Sequence, residues 1–430
     1  MSVIELHPHK GHLKGELTLP GDKSISHRAA ILSSLATGRS VIDNFLMGED
    51  CLRTVKAFEM MGVMVVMDER RVVLDSPGLH HLYESEQPIY FGNSGTTARL
   101  MTGVLSALPL FSTVYGDASL TKRPMDRVVQ PLSRMGAEIS GRAGGSLLPL
   151  AIQGGQLKGM VYDMPVKSAQ VKTALLLAGM LGDGETTIIE KTQTRDHTER
   201  LLPRYQIDIE AVEGQISIQG GQVPKPADIT VPGDISSAAF FLVAASIIPD
   251  SRIVIRDCGL NPTRTGIIQA LEVMGASLQT DVKRTIAGEP IGDIIVESAS
   301  LQGATIEGDL IANLIDEVPI IALAATQAHG TTVIKDAKEL RVKETDRIEA
   351  VAHNLQQLGA HVKPLEDGLE ITGPTPLTGG HIHSYHDHRI GMMGAIASLI
   401  CSHPVTLTDF ESINTSYPGF FDVINSLMQH

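Results

Sequence analysis

Cysteine is scarce. Cys51, Cys258 and Cys401 are the only three in 430 residues, and no two of them form a C-x-x-C pair. That spacing argues against a structural zinc site and against a disulfide framework, and it suits reduced thiols in the cytoplasm. No apolar run is long enough to span a bilayer. The opening stretch, MSVIELHPHKGHLKGELTLPGDK, has neither the apolar core of a signal peptide nor the bias of a transit peptide. Basic residues are in deficit: 35 Lys and Arg stand against 49 Asp and Glu, a formal net charge of −14. Nucleic-acid binders usually carry the opposite surplus, so nucleic acid is excluded as an expected partner. A local basic cleft for small anions remains compatible with an acidic protein. The chain also lacks a G-x-x-x-x-G-K-[ST] loop, a nucleophile elbow and any low-complexity segment.

What is present is repetition. At 430 residues the chain is too long for one ordinary core, and two domains are expected. LPGDKSISHRAAILSSLATG near Leu19 resembles VPGDISSAAFFLVAASIIPD from Val231. The same shape, a polar turn followed by an apolar small-residue helix, recurs from Gly92, Val166, Asn313 and His386, giving six copies. Helix starts are expected at Ser24, Ser94, Ser168, Ser236, Asp316 and Asp387, at roughly 70-residue intervals, longer than the usual solenoid periods.

Each copy is followed by a β-branched run, such as RSVIDN or TTVIKD, and most then lead into a more amphipathic helix. Several of those second helices end on MGV, MGA or LGA, where glycine reads as a C-cap. The fold class expected is therefore α/β, with two domains of three β/α repeats each around buried helices. The domains are expected at 20–231 and at 1–19 plus 232–430. Helices that are apolar all round belong inside. If they run in similar directions, their N-termini and polar words gather on one side, as an anion site would require.

Those words hold the candidate residues. Lys23, Ser24 and Arg28 bring two cations to a helix start; a plain N-cap at Ser24 or Ser26 explains the serines equally well. Asn93 to Arg99 is a Gly-containing turn with hydroxyls, able to offer backbone N–H groups to an oxyanion or simply to cap a helix. Lys122, Arg123 and Arg127 sit around Pro124, which suits a first helical turn, and Asp126. The run from Lys338 to Arg347 holds Arg341, Lys343, Glu344 and Asp346. It reads either as a surface helix with local ion pairs or as phosphate clamps with a proton carrier. Asp316 and Glu317 at a helix start suit its dipole, and a carboxylate among cations is also the usual general base. His386 and His388 flank Asp387 with Arg389 following; the His-x-His spacing is a weak metal signal, and the arginine is the better clue. The constellation suits chemistry on phosphorylated or carboxylated small molecules.

In order and spacing, LPGDKSISHRA, FGNSGTTAR, KRPMDRV, KSAQVKTALLLAG, RVKETDRI and YHDHRIGM resemble the motifs of the 5-enolpyruvylshikimate-3-phosphate (EPSP) synthase family, in its divergent bacterial branch. The resemblance covers essentially the whole chain. It implies an inside-out α/β barrel architecture of two domains hinged about a cleft, with residues 1 to 19 packing on the C-terminal domain. It implies transfer of the enolpyruvyl group of phosphoenolpyruvate to the 5-hydroxyl of shikimate 3-phosphate, with release of phosphate, in aromatic amino acid biosynthesis. Catalysis would fall to Lys23, Asp316 and Glu344. Phosphoenolpyruvate would be held by Lys23, Gly95, Arg123, Gln170, Arg347 and Arg389. Shikimate 3-phosphate would be held by Ser24, Arg28, Ser168, Ala169, Gln170, Arg195, Asp316 and Lys343. No cofactor and no metal is implied. The expected partners are the two small-molecule substrates, without nucleic acid or membrane, for a cytoplasmic monomer.

Two positions depart from the family pattern. Ala169 stands where many relatives carry a second serine, and Thr415 where others have a lysine for phosphoenolpyruvate. Gly95 is the small residue that in the family leaves room for the inhibitor glyphosate. The sister transferases acting on UDP-N-acetylglucosamine usually carry a reactive cysteine on a loop of the first domain. The matching stretch here, GDASLTKRPMDR, has none. A non-catalytic anion binder would have little need of Asp316 and Glu344 beside anionic ligands.

Overall fold

The computed structural model describes residues 2–429. The chain divides into two compact units. An amino-side unit takes Gly21–Val231 together with Ile286–Glu289, the tip of a hairpin formed by Ser277–Ile286 and Glu289–Glu297. A carboxy-side unit takes Pro232–Thr285 and the described residues of Met1–Pro20 and Pro290–His430.

Each unit is built on three core helices. They are Lys23–Leu35, Gly95–Ala107 and Ala169–Leu181 on the amino side, and Ile235–Ile247, Val318–Gln327 and His388–Ile400 on the carboxy side. The sequence reason is the absence of a polar face. In Ile235–Ile247, ISSAAFFLVAASI, every residue up to Ser246 is buried. A helix apolar all round is stable only when enclosed, and small residues let its neighbours approach to backbone distance. A Cβ built on Gly103 would come within 2.3 Å of the Ala174 carbonyl oxygen. The second and third core helices therefore cross with backbone against backbone.

The start of each core helix is polar and the exit is abrupt. Asp22, Ser94, Ser168, Asp234, Glu317 and Asp387 are the N-cap residues, so each helix begins within a few residues of the position expected from the repeat. The first and the fourth differ in kind, for an aspartate two residues ahead of the expected serine caps each. Asp22, not Ser24 or Ser26, caps the first, its Oδ1 accepting from the Ile25 N–H at 2.9 Å. Both serines lie inside the helix, two and four residues beyond the cap. At the other end, Ala36, Leu108, Gly182, Ile248, Ala328 and Cys401 are extended, and the chain passes straight into a strand.

Those strands carry a repeating sheet. Thr37–Asp43 lies between the parallel Ile229–Thr230 and the antiparallel Arg71–Pro77, which in turn pairs antiparallel with Met64–Asp68. Phe111–Tyr115, Glu185–Ile189 and Gly330–Ile334 each repeat that arrangement. The carboxy-side unit recruits the chain start: His12–Thr18 pairs parallel with Arg252–Gly259, and Val3–Leu6 antiparallel with Val405–Thr408. Among the described residues the strands form six separate small sheets in place of one closed barrel.

The glycines expected to end the second helices do so. Gly62, Gly136, Gly275 and Gly359 follow Glu49–Glu59, Asp126–Arg134, Gly266–Val273 and Arg347–Gln357 with φ of 106°, 104°, 83° and 93°. Only a residue without a Cβ adopts that left-handed turn at little cost. Pro124 does not enter a helix as expected; it precedes one that begins at Asp126, after a short 3-10 turn at Leu120–Lys122.

The backbone crossing at Gly103 yields a stability prediction. Gly103→Ala should lower the free energy of unfolding by about 1–3 kcal/mol, because an added methyl must push two core helices apart. Urea unfolding of the two proteins measures it, and equal midpoints would show that the crossing can open without strain.

Candidate active site

On the amino-side unit the first turns of the three core helices meet through their side chains. The Arg28 guanidinium, 4% exposed, donates from Nη1 to the Ser24 carbonyl at 2.9 Å, from Nη2 to Thr173 Oγ1 at 2.7 Å and from Nε to Thr198 Oγ1 at 2.7 Å. It thus ties the first core helix to the third and to the helix His197–Leu201. Lys23 pairs with Asp50, at the start of Glu49–Glu59. Gln170 donates from Nε2 to Thr96 Oγ1 at 2.9 Å and accepts from Arg99, joining the third helix to the second. Ser168 caps the third helix through the Val171 N–H, and Ala169 is its first residue.

Gly95 opens the second core helix beneath two guanidinium groups. A Cβ there would sit 3.2 Å from Arg123 Nη1 and 3.5 Å from Arg99 Nη1. Arg123 is buried and aimed by Asn93, whose side-chain oxygen and carbonyl both accept from it, and by Ser119 Oγ at 3.3 Å. Bare backbone beside two cations at a helix start is a cradle for an anion.

Three groups in this unit gave no signal in the sequence. Asp50 is one. The second is Lys172, with a fully buried side chain held by Glu190 Oε2 at 2.9 Å and Glu199 Oε1 at 2.6 Å. Thr194 Oγ1 also donates to Glu190. Burial pushes the Glu199 carboxyl above its usual range despite the adjacent Lys172. This cluster fixes both ends of the 190–199 segment, on which Arg195 lies half-buried. The third is His27. Its Nδ1 bonds Thr54 Oγ1 at 2.8 Å, Thr54 bonds Thr97 at 2.8 Å, and Thr97 donates to Ser94 Oγ at 2.8 Å. Burial, reinforced by the Lys23 and Arg28 cations, holds its pKa well below the usual histidine value.

On the carboxy-side unit the candidates gather around Arg347, whose side chain is 1% exposed. Asp387 takes two of its N–H groups, at 2.8 and 3.2 Å. Glu344 Oε2 takes a third at 2.7 Å, and Asp316 Oδ1 lies 3.2 Å from Nη1. Burial works against the charge, but Asp387, Glu344 and Asp316 outweigh it and raise the pKa further. Asp316 also accepts from Lys343 Nζ at 3.1 Å. Asp387 has a second duty, capping the sixth core helix through the Arg389 N–H at 2.9 Å. Arg389, 8% exposed, reaches Glu317 Oε1 at 3.3 Å.

The structure divides the basic run at 338–347. Lys338 pairs with Glu366 on the surface, and the half-buried Arg341 pairs with Asp346 and Glu349, away from the Asp316 cluster. Lys343, Glu344 and Arg347 turn to the Asp316 cluster. Lys122 is exposed. His386 is also exposed, 3.7 Å from Asp409, whereas His388 is buried in the first turn of its helix. Among the described residues no group of three or more His, Cys, Asp or Glu is arranged to hold a metal ion. All three cysteines are buried and unbridged, and burial pushes the Cys401 thiol up to about 11.

The chain as a whole matches known proteins. The family model of EPSP synthase (3-phosphoshikimate 1-carboxyvinyltransferase) matches residues 8–424. The chain belongs to that family. The 3-phosphoshikimate 1-carboxyvinyltransferase of Bacillus licheniformis is 53% identical over 418 residues, covering 97% of this chain and 98% of its own. That of Bacillus subtilis is 51% identical over 416 residues, covering 96% and 97%. EPSP synthase from Acinetobacter baumannii superposes with a TM-score of 0.88 at 42% identity, covering 100% of this chain and 98% of that one. The enolpyruvyl transferase NikO from Streptomyces tendae, at 18% identity and a TM-score of 0.81, shares the fold.

The neutral His27 predicts a pH dependence of stability. The unfolded chain takes up a proton near pH 6.5 that the folded protein refuses. Stability should therefore be unaffected by this group above that pH. It should fall as pH drops below it, by at most about 1.4 kcal/mol per unit. Urea unfolding between about pH 8 and pH 5 should show this slope flattened in His27→Asn. Parallel curves for the two proteins would contradict the assignment.

Proposed function

We propose that the two clusters carry the reaction for which the family is named, each supplying a defined part. That reaction moves the enolpyruvyl group of phosphoenolpyruvate to the 5-hydroxyl of shikimate 3-phosphate and releases phosphate. The observation that carries the reading is Asp316, a half-buried carboxylate held by Lys343 and Arg347 beside Glu344, in a chain matched to the family along nearly its full length.

The roles follow from the contacts. Asp316 orients the ring hydroxyls and takes the proton of the attacking 5-hydroxyl. Its bonds to two cations hold it ionised and aimed, as a base must be. Glu344 and Lys23 move the proton to and from the methylene carbon. Addition gives a tetrahedral phosphate-bearing intermediate; loss of a methyl proton and of phosphate restores the enol ether. Arg123, Arg347, Arg389 and Lys23 stabilise the charge of phosphoenolpyruvate and of the departing phosphate, and Gly95 and Gln170 let it lie close to the second core helix. Arg28, Ser24, Ser168, Gln170, Arg195 and Lys343 take shikimate 3-phosphate. Ala169 offers its backbone and no hydroxyl, and Arg195 supplies the missing phosphate contact. Thr415, half-buried in the 3-10 turn Phe410–Thr415, brings a hydroxyl where relatives have a cation.

We further assign the protein to the cytoplasm as a monomer acting on small molecules, a location that the three free thiols suit. Among the described residues no helix is long and apolar enough to cross a membrane.

Phosphate release from phosphoenolpyruvate tests the reading, with shikimate 3-phosphate and UDP-N-acetylglucosamine compared as acceptors. Release is expected with the first alone; release with the second alone would overturn the acceptor. Asp316→Asn should lower kcat by about 10²–10⁴-fold. Gly95→Ala should fold, because the new methyl meets only side-chain ends, those of Arg123, Arg99 and Leu120, and no backbone. It should raise the glyphosate inhibition constant by about 10-fold or more; equal constants would remove Gly95 from the site.

A further inference from the structure

Glu317 follows Asp316 and takes no part in the roles given above, yet its placement is costly. Its side chain is fully buried. It is the N-cap residue of the fifth core helix but makes no side-chain cap bond. Oε1 accepts from the Ser236 hydroxyl and lies 3.3 Å from Arg389 Nη1. Oε2 is buried and, among the described residues, has no hydrogen-bond partner. A carboxylate that served only the helix dipole would do so more cheaply in water.

The partners show what the burial secures. Ser236 Oγ also accepts from Arg264 Nη2 at 2.7 Å, and the same nitrogen reaches Asp234 Oδ1 at 3.1 Å. Asp234 caps the fourth core helix. A polar line thus runs Asp234–Arg264–Ser236–Glu317–Arg389 across the first turns of the three carboxy-side core helices. Arg264 is fixed by the start of the fourth helix, and Ser236 and Glu317 pass that position on to Arg389.

We infer that Glu317 is a positioning residue for phosphoenolpyruvate binding: it fixes the Arg389 guanidinium by one edge and so aims the remaining N–H groups at the anion. The inference rests on Arg389 binding phosphoenolpyruvate. Its sign is distinctive. A carboxylate acting only through its charge would repel the anionic substrate, and removing it would tighten binding. A carboxylate that aims the arginine does the reverse.

The test is steady-state kinetics of Glu317→Gln, an isosteric change, with urea unfolding alongside. The KM for phosphoenolpyruvate should rise by about 10-fold, the equivalent of one charge-assisted hydrogen bond. The KM for shikimate 3-phosphate should stay within about 2-fold, far below one such bond. The effect should vanish in an Arg389→Gln background, because the two side chains act as one. Ser236→Ala keeps the charge and removes one of the two grips on Oε1, and should raise the same KM by about 3-fold, a smaller change because Arg389 still meets the carboxylate. An unchanged or lowered KM for phosphoenolpyruvate in either single variant would overturn the inference, as would an equal rise for both substrates. If Arg389→Gln alone leaves that KM unchanged, the assignment of Arg389 fails first and takes the role of Glu317 with it.

Discussion

The carboxy-side site depends on a guanidinium taken out of water. Arg347, with its side chain 1% exposed, is surrounded by Asp387, Glu344 and Asp316. Removing one partner of a buried ion pair typically costs about 3–5 kcal/mol, so none of these groups is free to drift. The consequence is geometric. One cation fixes the cap of the sixth core helix, the proposed base and a proposed proton carrier in a single frame. The pairs are not equivalent. Asp387 is wholly buried, whereas Asp316 and Glu344 are 14% and 20% exposed. The inner pair is therefore architecture. The outer pairs keep contact with solvent, as the proposed proton transfers require.

The amino-side unit reaches a similar result by other means. Arg28 is held by threonine hydroxyls and a carbonyl, and the helix starts are linked by a run of neutral hydroxyls ending on His27. Neutral partners keep a cation fixed without cancelling its charge. Where a carboxylate does intervene, as Asp50 does at Lys23, it neutralises that cation locally. The core helices make both arrangements possible. Their apolar lengths and small residues pack backbone to backbone, which brings their polar first turns within hydrogen-bond reach of one another.

Much of this was legible in the chain because it is local. A helix without a polar face, a β-branched run after it and a glycine closing the second helix are each properties of a few neighbouring residues. Four of the six core helices begin on polar residues at or beside those expected. The exceptions, Asp22 and Asp234, show the limit of pattern: serines and aspartates cap equally well, and only the chain's path chooses between them. The long-range partners were not legible. Glu190 and Glu199 meet Lys172 from 18 and 27 positions along the chain, and nothing in KSAQVK announces a buried lysine. Ser236 lies 81 positions from Glu317. Its word, DISS, reads only as a cap. The run at 338–347 was ambiguous for a physical reason. Charge alternation looks the same for a surface turn and a site edge, and here the chain is both, with Lys338 and Arg341 outward and Arg347 buried.

The formal charge of −14 and a site for two anions are reconciled by where the charges sit. The cations of the proposed site are buried or half-buried, several of them at helix starts whose N–H groups add positive potential, while many other basic residues are spent in outer ion pairs worth little. In the low-dielectric surroundings of a buried helix end, one fixed cation acts more strongly than several mobile ones on the surface. An acidic exterior therefore does not weaken such a site. It does set a condition on it. Because Asp50 and Asp316 already occupy Lys23 and Lys343, in the proposed roles an incoming anion would compete with a carboxylate, and each lysine would change partner. A carboxylate released in that exchange, beside the ligand and newly without its cation, is more basic than before. In Asp316 the same event would make the proposed base stronger as the shikimate phosphate draws Lys343 away.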